Sequence, residues 1–123
     1  MISTIMDSWG GALIQMPIVR NRHDTTYAYK VNGDIRAIIS IYKINEDYQV
    51  NCDIAIKLDQ MKDLFKIDDL FGVPTILAVE FNDMKTWGKV SSLYAKRHHY
   101  AYEDNFYIPK SKFNEIKGRQ QKA

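Results

Sequence analysis

Cysteine is nearly missing from this sequence: the single Cys52 among 123 residues excludes an intrachain disulfide and any zinc or dithiol motif built on cysteine pairs. Its position within an apolar alternation predicts a small buried thiol. No uninterrupted apolar run approaches the roughly 20 residues a membrane helix needs. The opening MISTIMDSWGGALIQ carries no basic leader ahead of its modest apolar stretch, so the expectation is a cytoplasmic protein without membrane contact. Glycine is sparse, and Gly10-Gly11 is its one adjacent pair. That leaves neither a phosphate-gripping loop nor a nucleophile elbow. Histidine is scarce as well. His98 and His99 are adjacent, so on a strand they face opposite ways, and His23 has no partner at ligand spacing.

What is present is the composition of one globular unit, 46% hydrophobic and 26% charged, which is expected to span residues 1–113 and to be followed by a basic tail, 114–123. The net charge of +2 conceals an asymmetry. Residues 1–83 carry 8 Lys and Arg against 12 Asp and Glu, a balance of −4, whereas residues 84–123 carry 9 against 3, a balance of +6. The basic half interleaves cations with aromatics, the combination that suits a phosphate backbone and exposed bases. The candidate nucleic-acid-binding residues are Lys89, Tyr94, Lys96, Arg97, His98, His99, Tyr100, Tyr102, Lys110 and Lys112. A solvated hairpin with a frayed basic tail accounts for the same residues without a ligand.

Hydrophobic periodicity predicts the elements. Ile35, Ala37, Ile39 and Ile41 alternate with polar residues, with Ile38 alone out of pattern, and Tyr48, Val50, Cys52, Ile54 and Ile56 resume the alternation after Asn45-Glu46. A hairpin over about 34–57 with a two-residue loop then pairs Ile39 with Cys52, Ile41 with Val50 and Asp34 with Lys57. The apolar row is expected to bury against a helix over about 59–71, capped by Asp59, presenting Met61, Leu64, Phe65 and Phe71, and ended by Gly72 and Pro74. TILAVEF reads as a strand buried on both faces, TWGKVSSLY as its partner and TTYAYKV as a further strand, while Trp9-Gly10-Gly11 and Pro17 interrupt the first 30 residues. The fold class is α/β, a small single domain with a mixed sheet.

Between Val31 and Val90 the sequence resembles the archaeal Holliday junction resolvases of the PD-(D/E)xK nuclease superfamily. The similarity lies in NGDIRAII, in DIAIK, in the helix LDQMKDLFKIDDLFG with its early Gln, and in VPTILAVEF followed by a Trp. The resemblance implies a metal-dependent nuclease site in which Asp34 and a second carboxylate hold Mg²⁺ beside a phosphate and Lys57 adds a fixed positive charge. The second carboxylate of that motif falls on Ala55, which has no oxygen to offer, leaving Asp53, one side-chain step away, as a displaced ligand. Charges on the polar face of a hairpin also explain Asp34, Asp53 and Lys57 without chemistry. The resemblance further implies a homodimer.

Three functions follow as expectations. One is a non-catalytic nucleic-acid-binding protein of degenerate nuclease-like fold, with DNA rather than RNA as partner. The second is a structure-specific endonuclease with Asp34, Asp53 and Lys57 catalytic. The third is a small phage or viral module or inhibitor that binds a protein through the acidic helix surface of Asp59, Asp63, Asp68 and Asp69. Ala55 favours binding over catalysis, and the basic aromatic segment favours nucleic acid over protein.

Overall fold

The computed structural model describes residues 2–16, 24–93, 96–100 and 103–116. The chain opens with helix α1 (Ile2–Trp9), strand β1 (Ala12–Gln15), strand β2 (Asp24–Val31) and strand β3 (Asp34–Lys43). An irregular stretch leads to β4 (Ile54–Lys57), helix α2 (Leu58–Phe71), β5 (Thr75–Glu80) and β6 (Lys85–Lys89). After a 3₁₀ turn at Val90–Ser92 come β7 (Lys96–Tyr100) and β8 (Glu103–Ile108), then a second 3₁₀ turn at Lys110–Lys112 and the short β9 (Asn114–Glu115). The protein is a small α/β domain with a mixed six-stranded sheet in the order β1-β2-β3-β5-β6-β9 and a three-stranded sheet in the order β4-β8-β7.

The larger sheet is covered on both faces, which explains its central strands. Ile39, Ile76 and Ala78 pack with Tyr29, Ala37, Ile116 and the α1 residue Ile5 on one face. Leu77, Val79 and Phe81 pack on the other with Met61 and Leu64 of α2 and with Ile54, Ile56 and Ile108 of the smaller sheet. A strand buried on both sides has no polar row, and so Ile38, the residue that broke the alternation, is 1% exposed. β3 and β5 run parallel, Ile38 opposite Thr75 and Lys43 opposite Glu80. The segment between them contains α2, the crossover that a parallel pair requires. β6 returns antiparallel to β5, with Trp87 opposite Ala78.

The hairpin expected over 34–57 does not form. β3 pairs antiparallel with β2, Ile39 facing Tyr27, around a two-residue turn at Asn32 and Gly33. Both turn residues have positive φ, 53° and 85°, the conformation of the tight hairpin turn whose twist matches its strands. β4 joins β8 instead, with Ile54 opposite Ile108 and Lys57 opposite Asn105. Since β3 already has neighbours on both sides, nothing remains for residues 48–57 to pair with there. As a result Val50 is 76% exposed, and Cys52 is a free, exposed thiol rather than a buried one.

α2 ends at Phe71 with Gly72 in the left-handed region, as its sequence predicts. Its start differs: Lys57 occupies the cap position and makes no side-chain cap, so Asp59 lies inside the first turn, where a carboxylate meets the positive end of the helix dipole. Phe65 and Phe71 remain 39% and 38% exposed, while Met61 and Leu64 are sealed. Phe65 packs edge-on against Phe106 at 6.4 Å. At the N-terminus, Gly11 has φ 73°, and a Cβ there would stand 2.5 Å from the Lys30 carbonyl oxygen; glycine lets the chain turn tightly from α1 into β1. The Tyr29 hydroxyl donates to the Trp9 carbonyl at 2.8 Å, tying the end of α1 to the sheet.

Candidate nucleic-acid interface and adjoining cleft

Five of the ten residues expected to bind nucleic acid fall on the smaller sheet. β7 is one of its outer strands and carries Lys96, Arg97, His98, His99 and Tyr100 in sequence, from Lys96 opposite Tyr107 to Tyr100 opposite Glu103. β8 runs on through Pro109 into the turn holding Lys110 and Lys112, so these two lysines follow the end of β8 that lies beside Lys96. Lys89 stands apart, exposed at the end of β6 in the larger sheet opposite Ile76. Tyr94, Tyr102, His23 and the tail residues 117–123 lie outside the described residues, whereas Asn114–Glu115 form β9 and Ile116 is 5% exposed.

Lys110 also lines a cleft of ≈ 330 Å³ with Tyr42, Lys43, Gln49, Asp53 and Phe81. The cleft opens at the carboxyl ends of β3 and β5, where parallel strands leave a crevice as their connections depart. Its rim is the irregular segment after β3, held by hydrogen bonds that include Ile44 N–H to the Glu80 carbonyl at 2.9 Å, Tyr48 N–H to the Asp83 side-chain Oδ1 at 2.8 Å and Asn82 N–H to the Glu46 carbonyl at 3.0 Å. The Lys110 ammonium sits 3.8 Å from the centroid of the Tyr48 ring and 5.4 Å from that of Phe81, while the two rings meet edge-on at 5.3 Å. Burial pushes the Lys110 pKa below the ordinary lysine value, against opposing pulls from Cys52, Asp53 and Asp83. The ring faces also favour the charged form.

The nuclease constellation is not assembled. Asp34 is exposed at the start of β3, opposite Val31 across the Asn32-Gly33 turn. Asp53 lines the cleft together with Tyr42 and Lys43, at the far end of that strand. β3 is 10 residues long, which at about 3.3 Å per residue separates its ends by roughly 30 Å. A shared Mg²⁺ needs ligand oxygens at about 2.1 Å, so Asp34 and Asp53 do not fit one ion. Lys57, opposite Asn105, is likewise not across from Asp34. Among the described residues, no group of three or more His, Cys, Asp and Glu side chains could hold a metal ion. Ala55 does line the cleft beside Asp53, where the other carboxylates are Glu46 and Asp47 and not the motif's Asp34.

The acidic face of α2 is partly structural. Asp68 Oδ1 accepts from Thr75 N–H at 3.2 Å, linking the end of α2 to the start of β5, while Asp59 and Asp69 are exposed and Asp63 is half-buried. Sequence reasoning missed Tyr42, Lys43, Tyr48 and Phe81 as neighbours of Lys110. The available signal was the strand-helix-strand order, which places the carboxyl ends of β3 and β5 side by side. Comparison of the chain with protein-family models, with curated proteins and with solved structures returns no match.

Proposed function

We propose that the protein binds nucleic acid without cleaving it, along a surface formed by β7 and the Lys110–Lys112 turn. The observation that carries this reading is the run of four basic residues, Lys96 to His99, on an outer strand of the smaller sheet, within a segment whose charge balance is +6. Of these, Lys96 and Arg97 are the fixed cations; cations on such a strand neutralise phosphates and release their counterions, a source of affinity that requires no metal. Tyr100 on the same strand adds an aromatic for base stacking. With Asp34 and Asp53 at opposite ends of β3, these two carboxylates do not form the metal-holding pair of the resembled nucleases, which favours binding over cleavage.

The test is a titration of labelled single-stranded and duplex DNA and RNA at several salt concentrations, with Lys96→Ala/Arg97→Ala beside the native protein. The double variant is expected to bind more weakly, with a salt slope smaller by about 0.9 for each duplex phosphate that is no longer neutralised. An unchanged affinity and slope would remove β7 from the interface. Failure of the native protein to bind any of the four nucleic acids would overturn the proposal.

A further inference from the structure

Among the described residues the two sheets have four outer strands, and the chain protects them unequally. β7 carries Lys96, Arg97, His98 and His99, β4 is flanked by Asp53 and ends on Lys57, and β9 is two residues long and includes Glu115. Charge and shortness keep an outer strand from pairing with another chain. β1 has no such charge: Ala12, Leu13, Ile14 and Gln15 lie in a stretch with no charged residue between Asp7 and Arg20. Ala12, Ile14 and Gln15 are exposed, and Ile14 is 49% exposed.

The backbone of β1 shows what this edge offers. Met16 N–H donates to the Thr26 carbonyl at 2.9 Å, and the antiparallel register sets Ile14 opposite Ala28 and Ala12 opposite Lys30. Ala12, Ile14 and Met16 are therefore the residues whose backbone groups bond to β2. The N–H and C=O groups of Leu13 and Gln15 then point away from it, toward the open edge.

We infer that β1 pairs antiparallel with β1 of a second copy of this chain, about a two-fold axis through Ile14. In that register Leu13 of each copy exchanges two backbone hydrogen bonds with Gln15 of the other. The two Ile14 side chains meet as the non-hydrogen-bonded pair, the closer of the two antiparallel spacings. A second copy fits because the strand is complementary to itself: its outward donors and acceptors match their own two-fold image, and no charge opposes its own copy. Nucleic acid would gain nothing from an uncharged strand. Two-fold pairing also uses up both β1 edges, so assembly stops at two copies. The pairing does not depend on the nucleic-acid reading.

Sedimentation equilibrium across a concentration series tests this on the full chain. The native protein is expected to dimerise. Ile14→Lys sets two like charges on the axis and is expected to sediment as a monomer at the same concentrations, with an unchanged far-UV spectrum. A covalent trap decides the matter even if that variant fails to fold. With Cys52→Ser removing the native thiol, Ile14→Cys places two thiols on residues whose Cα atoms stand about 4.5 Å apart in a non-hydrogen-bonded pair, within disulfide reach, and oxidation is expected to give a covalent dimer. A native monomer at every concentration, a dimer indifferent to a folded Ile14→Lys, or an Ile14→Cys protein that stays monomeric on oxidation would each overturn the inference.

Discussion

Gln60 sits in the first turn of α2 at 2% exposure, with neither its side-chain oxygen nor its nitrogen hydrogen-bonded to protein. A buried amide without partners opposes folding, while an apolar side chain of similar length keeps the packing and removes the polar groups. Gln60→Met is accordingly expected to stabilise the protein by about 1–3 kcal/mol, read as a higher urea midpoint at unchanged slope. A lower midpoint would instead reveal a water or another partner on the amide. Ile54 and Val50 form a second comparison, because the alternation treated them as equivalent and the fold does not. Ile54 is 2% exposed and Val50 76%. Ile54→Ala is expected to cost about 2–5 kcal/mol, and Val50→Ala to change stability by no more than about 0.5 kcal/mol. Equal destabilisation of the two variants would restore the hairpin that the strand pairing rejects.

Among the elements, the junction of α1 with β1 gives the sharpest prediction. Gly10 and Gly11 share φ 73°, yet a Cβ on Gly10 meets nothing within 4 Å, whereas one on Gly11 runs into the Lys30 carbonyl. Gly10→Ala thus bears only the left-handed backbone cost of about 1–2 kcal/mol, and Gly11→Ala adds a collision that must displace β1 or α1. Gly11→Ala should lower the thermal midpoint more than Gly10→Ala. It should also alter tryptophan fluorescence, because Trp9 at the end of α1 stacks edge-on with Trp87 at 5.3 Å and Tyr29 at 6.1 Å. Equal midpoints for the two variants would mean that β1 yields at no cost. Much of this level was legible beforehand. Residues 59–71 carried both a helical period and a stop signal, and α2 ends where that signal stands. TTYAYKV and TILAVEF became β2 and β5, and the start of TWGKVSSLY became β6. The hairpin was misplaced because two consecutive alternations look alike from either side. Asn32-Gly33, the stronger turn signal of the two candidates, lay between β2 and β3.

For the whole molecule, protection should follow the layering. β3 and β5 lie inside the six-stranded sheet between two hydrophobic clusters, and such strands open only with global unfolding. Amide exchange is expected to be slowest at Ile39, Leu77 and Val79. It should be faster on the outward-facing backbone of β1, unless a second copy of the chain covers that edge. Dilution below the dissociation constant should then raise the β1 exchange rate while leaving β3 unchanged. Uniform exchange across the two strands would contradict the layered account. The candidate interface was readable as composition, since the basic bias of residues 84–123 needs only counting. The grouping of Lys110 with Tyr48, Phe81 and Asp53 was not, because it depends on where four separate segments end.

The sequence by itself determined what its local periods and punctuation encode: an α/β domain, a helix stopped at Phe71 by Gly72, a doubly buried strand at 75–80 and a basic C-terminal segment. These properties arise within a dozen residues of one another, where side-chain alternation, backbone restriction and charge need no distant partner. Tertiary structure decided which strands are neighbours, and with them the fate of each candidate residue. Pairing β3 with β2 and β5 carried Asp34 away from Asp53 and Lys57, left Val50 and Cys52 in solvent, and gathered Lys110 into the cleft. An apolar alternation specifies that a strand has a face to bury but does not name the strand beside it; that selection is made by the burial of all the strands at once.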